Sequence, residues 1–155
     1  MSWNAVAAIA ELIGAVGVVA TLLYLGLQVR QNTKAMRTAT FQTIIGFATG
    51  FAESIARDSE MSRIFQLGIS SFDALNESER FRFHFQMIAL LRRYENVHYQ
   101  STMKLLDDAD WQGLRTSFDA LMHQAGSRKW WALNSKLFNP RFCAFVETRL
   151  PAPEM

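Results

Sequence analysis

In the stretch RRYENVH, Glu95 and His98 stand three residues apart. That spacing puts a carboxylate and an imidazole on one helix face, and carboxylate-bridged di-iron bundles use it on two of their helices. A second pair is needed for such a centre, and the other histidines, His84 and His123, have no glutamate three residues before them. The pattern therefore predicts no metal site. It leaves Glu95 a structural task, as partner of Arg92 one turn away or of a neighbouring helix, forming a polar element inside a bundle. No Gly-rich phosphate loop, nucleophile elbow or H-E-x-x-H occurs, and the single cysteine, Cys143, has no base near it in the sequence. Cys143 reads as a small buried apolar residue in a reducing compartment, since one cysteine makes no internal disulfide framework. The expectation is a protein without catalytic residues, cofactor or metal, and not an enzyme.

A second set of polar residues lies in an apolar run, AELIGAVGVVATLLYLGLQVRQNTKAMR, residues 10–37. From Leu12 to Val29 there are 18 residues without a formal charge, which as a helix cover about 27 Å, close to the ~30 Å hydrocarbon thickness of a bilayer. Glu11 precedes the run, and Arg30, Lys34 and Arg37 follow it. This is the reverse of the charge order of a secretory signal, so the segment is read as a retained span. The positive-inside rule then keeps the C-terminal side in the cytoplasm and sends a short, nearly uncharged N-terminus across, with Trp3 and Tyr24 as interfacial aromatics. The same three cations predict contact with anionic lipid at the inner membrane face, joined by Arg57. The rival reading is a buried core helix of a soluble protein.

Asn4, Ala7, Glu11, Gly14, Val18, Thr21, Leu25, Gln28 and Asn32 follow one another at alternating spacings of three and four, so they share one face of the helix. Small and polar residues along such a stripe let transmembrane helices approach closely and exchange hydrogen bonds worth about 1 kcal/mol each, which predicts a homo-oligomer. Two uses remain open. Several copies can arrange Glu11, Thr21, Gln28 and Asn32 around a water-filled, cation-favouring pore with an acidic outer ring. Alternatively, Thr21 bonds back to its own helix and the stripe is a packing seam or a plain anchor.

These residues need helices to hold them. The chain has 155 residues, half of them apolar, with only three prolines, two of them at the tail. That is one core's worth of chain and few helix breakers, so the fold class is all-α. The balance of 16 Lys and Arg against 14 Asp and Glu speaks against nucleic acid binding by bulk charge. The reading divides the chain into a transmembrane helix over 1–30, a cytosolic helical bundle over 31–150 and a tail over 151–155. Apolar spacing from Phe41 to Ile55 continues the helix beyond the span, with Gly46 and Gly50 as points of close packing. A short helix over 59–67 is capped by Asp58 and stopped by Gly68. Asn76 and Glu79 form a capping box opening a helix over 77–106, with apolar residues on two faces: Phe81, Phe85 and Ile88, and Phe83, Met87, Leu90 and Leu91. Helices over 108–124, 127–137 and 140–149 are divided at Gly126 and at Asn139 before Pro140. Trp130 and Trp131, after a basic stretch, are placed in the core, with contact to lipid headgroups or a partner as the alternative.

The residue 10–37 segment, followed by RRYEN and the WW pair, resembles a family of small uncharacterised proteobacterial membrane proteins. YLGLQVRQNTKAMR is its most specific piece. The resemblance implies one N-terminal span followed by a helical domain in a bacterial inner membrane, and brings no activity, cofactor or catalytic residue. The functional expectation is a single-pass inner-membrane homo-oligomer that forms an ion-conducting pore, or else a tethered scaffold or sensor whose bundle binds a partner protein. Lipid, other copies of the chain and ions are its expected partners, and nucleic acid is not.

Overall fold

A computed structural model describes residues 3–151, and among these every regular element is helical. Six α-helices follow in order: α1 (Trp3–Arg57), α2 (Ser59–Ser70), α3 (Glu77–Thr102), α4 (Asp108–Met122), α5 (Ala125–Asn134) and α6 (Pro140–Glu147). Short 3-10 turns at Phe72–Ala74 and Ser135–Leu137 join α2 to α3 and α5 to α6. The chain forms two compact units, Met1–Ala39 and Thr40–Met155. Of the tail read over 151–155, all but Pro151 lies outside the described residues.

Among its described residues the first unit is helix alone. Every described residue from Val6 to Leu27 is exposed, and Leu12, Ile13, Leu22 and Leu23 each keep more than three-fifths of their surface open. Apart from the stripe of small and polar residues on one face, the helix carries large apolar side chains that nothing in the chain covers.

The second unit is built around Phe83, Met87 and Leu91 of α3, all fully buried. Against them pack Ile64 of α2, Phe118 and Met122 of α4, Trp130 and Trp131 of α5, and Phe142 and Val146 of α6. Both tryptophans of the WW pair are thus core residues. Aromatic rings meet edge-on or tilted through this core: Phe118 with Phe142 at 6.0 Å and Trp131 with Phe138 at 5.2 Å, geometries that suit ring quadrupoles. A smaller cluster joins Ile44 of α1 to Val97 and Leu106, with Trp111 and Leu114 against it.

Local chemistry fixes the helix ends. The Asp58 carboxylate accepts from the Glu60 and Met61 amides at 2.9 and 3.1 Å. The Asn76–Glu79 capping box closes in both directions at 3.0 and 2.9 Å. Asn139 caps α6 through the Arg141 amide at 2.9 Å, with Pro140 in the first turn.

Four expectations change. Gly68 does not stop α2, which runs on to Ser70. A methyl group on Gly68 would sit 2.7 Å from Cγ of Phe83, so its smallness is used for packing. Gly126 is buried inside α5 rather than between helices, and a methyl group there would lie 2.8 Å from the Ile69 carbonyl oxygen and nearer still to that of Gly68. Gly46 and Gly50, expected at close contacts, have nothing within 4 Å of where a Cβ would be.

The fourth change concerns α3. It ends at Thr102, short of residue 106, because Lys104 takes a left-handed φ of 56°. The Lys104 and Leu105 amides donate to the Ser101 and Gln100 carbonyls at 3.0 and 3.1 Å, a Schellman closure. Its two apolar faces differ: Phe83, Met87 and Leu91 are fully buried, whereas on the other Phe81 and Phe85 stand 66% and 54% exposed, ring to ring at 4.9 Å, and Ile88 packs partly against the core.

Candidate functional site

The first unit offers a surface rather than a pocket. Within it one stretch is long and apolar enough to cross a membrane, and no residue of its most apolar window is buried. The face bearing Glu11, Gly14, Val18, Thr21, Leu25, Gln28 and Asn32 includes two side chains that hydrogen-bond within the helix. The Thr21 hydroxyl donates to the Gly17 carbonyl at 2.8 Å, and the Gln28 amide donates to the Tyr24 hydroxyl at 2.7 Å. Thr33 makes the same back-bond to Val29 at 2.9 Å. These bonds lessen the need for polar partners from outside, because a group bonded within its own helix can enter hydrocarbon at lower cost. Gly14 and Gly17 carry nothing within 4 Å, which leaves open backbone on the same side. Arg30, Lys34 and Arg37 are all exposed, and no carboxylate pairs with them among the described residues.

In the second unit, Arg92 and Glu95 do meet, at 2.6 Å. Each makes a second contact that ties α3 to the α5–α6 connection. Arg92 donates to the Leu137 carbonyl at 2.6 Å and lies 4.9 Å from the centre of the Phe138 ring, and the Asn139 amide donates to Glu95 Oε1 at 2.6 Å. Both oxygens of Glu95 are engaged, so the carboxylate works as a clamp on the start of α6. His98 instead packs against Phe145, ring centres 4.5 Å apart and planes tilted by 31°. Burial pushes its pKa down, which favours the neutral ring. A polar cleft of about 470 Å³ opens beside these residues, with Tyr99 and Arg141 also on its wall.

Cys143 is half-buried and its thiol donates to the Ser135 carbonyl at 3.3 Å. Burial first, then the charges of Glu147 and Glu95, push the thiol pKa up, so little reactive thiolate forms at neutral pH. Glu60 and Glu79, by contrast, are held below the usual carboxylate range by hydrogen bonds from Arg63.

Sequence reasoning missed Arg93. Its guanidinium donates to the Phe47 carbonyl at 2.8 Å and lies 5.4 and 5.6 Å from the Phe47 and Phe51 ring centres. The signal present in the sequence was the i, i+4 pair Phe47 and Phe51, which forms an aromatic edge on one helix face, but nothing local says which cation it receives.

The chain matches no family model, no curated protein and no solved structure. What can be said of its class rests on the fold and surface alone: an all-α protein with one long exposed apolar helix and a packed helical bundle.

Proposed function

We propose that this is a single-pass protein of a bacterial inner membrane, N-terminus outside, whose span associates with other copies and whose bundle serves as a cytoplasmic binding module. One observation carries the reading: the side chains from Val6 to Leu27 are open on every side of α1. Apolar surface of that extent is stable only against hydrocarbon or a partner. The cations at 30, 34 and 37 supply the orientation. The open backbone at Gly14 and Gly17 supports a helix–helix seam.

A tethered module is favoured over a pore because Thr21 and Gln28 each make a hydrogen bond within their own helix. The test is mass measurement of the full chain in detergent, together with current recordings in planar bilayers. The expected result is a defined oligomer that Gly14→Leu with Gly17→Leu disperses, and no conductance. A monomer that stays soluble without detergent overturns the membrane reading. A cation current altered by Glu11→Gln restores the pore.

A further inference from the structure

Within the second unit, α1, α2, α3 and α4 line an open cleft of about 380 Å³, towards the lower end of the roughly 300–1,000 Å³ common for small-molecule sites. Its walls are mostly apolar, with Phe47, Phe51, Phe65, Leu90, Val97 and Leu121 among them. Arg93 is the cation that stands against this lining without a carboxylate partner among the described residues; Arg92, also on the wall, is taken by Glu95. The Phe47 carbonyl accepts one Arg93 N–H, and the two phenyl rings fix the guanidinium in place. A guanidinium carries five donors, so the rest of the fork remains for a ligand.

We propose that this cleft binds a long-chain fatty acid, its carboxylate paired with Arg93 and its alkyl chain lying along Phe47, Phe51, Leu90 and Val97. A planar fork matches a carboxylate with two parallel hydrogen bonds, and an apolar trough beside it selects a hydrocarbon tail. The volume suits one chain better than the two of a phospholipid. The proposal goes beyond membrane tethering and does not depend on the span's self-association, so either can fail alone.

The probe is palmitic acid carrying a diazirine in its chain, added to the full protein in phosphatidylcholine nanodiscs, irradiated and mapped by peptide mass spectrometry. Label is expected on residues 43–51 and 90–97, reduced at least tenfold by excess palmitate and little by hexadecanol, which has the tail without the charge. Arg93→Gln is expected to lower labelling of these peptides at least tenfold, as is Ala48→Phe, which fills the cleft while leaving the cation. Label confined to residues 12–29 would show partition into the bilayer only and overturn the proposal. So would equal competition by hexadecanol, or copy-to-copy cross-links across an unlabelled cleft. If Arg93→Gln melts earlier than the parent chain, the hexadecanol comparison on the unaltered protein decides.

Discussion

Gly14 and Gly17 in the first unit and Gly68 and Gly126 in the second are the same residue under opposite conditions. Around the first two, a methyl group would meet nothing within 4 Å; at the second two it would run into the Phe83 ring and the α2 backbone closer than 3 Å. In the bundle, a missing Cβ is what lets α2 and α5 touch at main-chain distance. In the apolar helix the same absence is an open site that the chain itself does not fill. The contrast extends to the large residues: Trp130 is fully buried, whereas Leu22 is 62% exposed. One region buries most of its large apolar residues against one another, and the other leaves them exposed.

The sharpest way to break this contrast is a matched truncation of the full chain in detergent, followed by thermal and urea melts of the bundle. Trp130→Ala is expected to remove about 3–5 kcal/mol from bundle stability, the usual range for emptying an aromatic site in a core. Leu22→Ala should leave the bundle melt unchanged. A comparable loss from both would mean the two regions unfold as one.

Next comes the glycine pair. Gly126→Ala is expected to destabilise by about 3 kcal/mol, at the upper end of overpacking effects, because the obstructing atoms are backbone carbonyls that cannot rotate away. Gly17→Ala should leave the bundle melt within about 0.5 kcal/mol of the parent. Bundle melts that respond equally would erase the distinction between the two glycine pairs.

A smaller effect is expected at Asp119, where Arg149 donates through Nε and Nη2 at 2.5 and 2.6 Å to the two carboxylate oxygens. These bonds hold the Asp119 pKa below the usual carboxylate range. The folded value is the depressed one, so the stabilisation is present above the unfolded value of about 3.9 and is lost as pH falls through the folded value. Asp119→Asn should therefore lose about 1 kcal/mol at pH 7, and its melt should converge with that of the parent chain in strong acid. A constant gap at every pH would assign the effect to packing.

The smallest change should be a gain. Lys104 holds the left-handed position that ends α3, a conformation that disfavours a Cβ. Lys104→Gly is expected to raise stability by about 0.5–1 kcal/mol, read as a higher urea midpoint with an unchanged slope.

Much of the fold was legible because its signals are local. Asp58, Asn76 with Glu79, and Asn139 before Pro140 mark helix starts through bonds spanning two or three residues, and such bonds depend on nothing distant. Helix ends were read less well. Gly68 looked like a stop and Gly126 like a break, since a glycine looks the same in sequence whether it ends a helix or admits a neighbour. The two faces of α3 were equally apolar in pattern, and only the packing of α2, α4 and α6 against one of them left Phe81 and Phe85 outside. Of the candidate residues, the Arg92–Glu95 pair lies one turn apart and was readable, while its ties to Leu137 and Asn139 cross more than forty positions and were not.

The sequence by itself determined that the chain is helical, where most helices begin, and that its first thirty or so residues form an apolar rod, because capping, periodicity and hydropathy act over a few residues. Only the tertiary structure decided which glycines are contacts, which face of α3 is core and that Arg93 stands against an apolar cleft. Those facts depend on residues far apart in the chain reaching the same few ångströms of space.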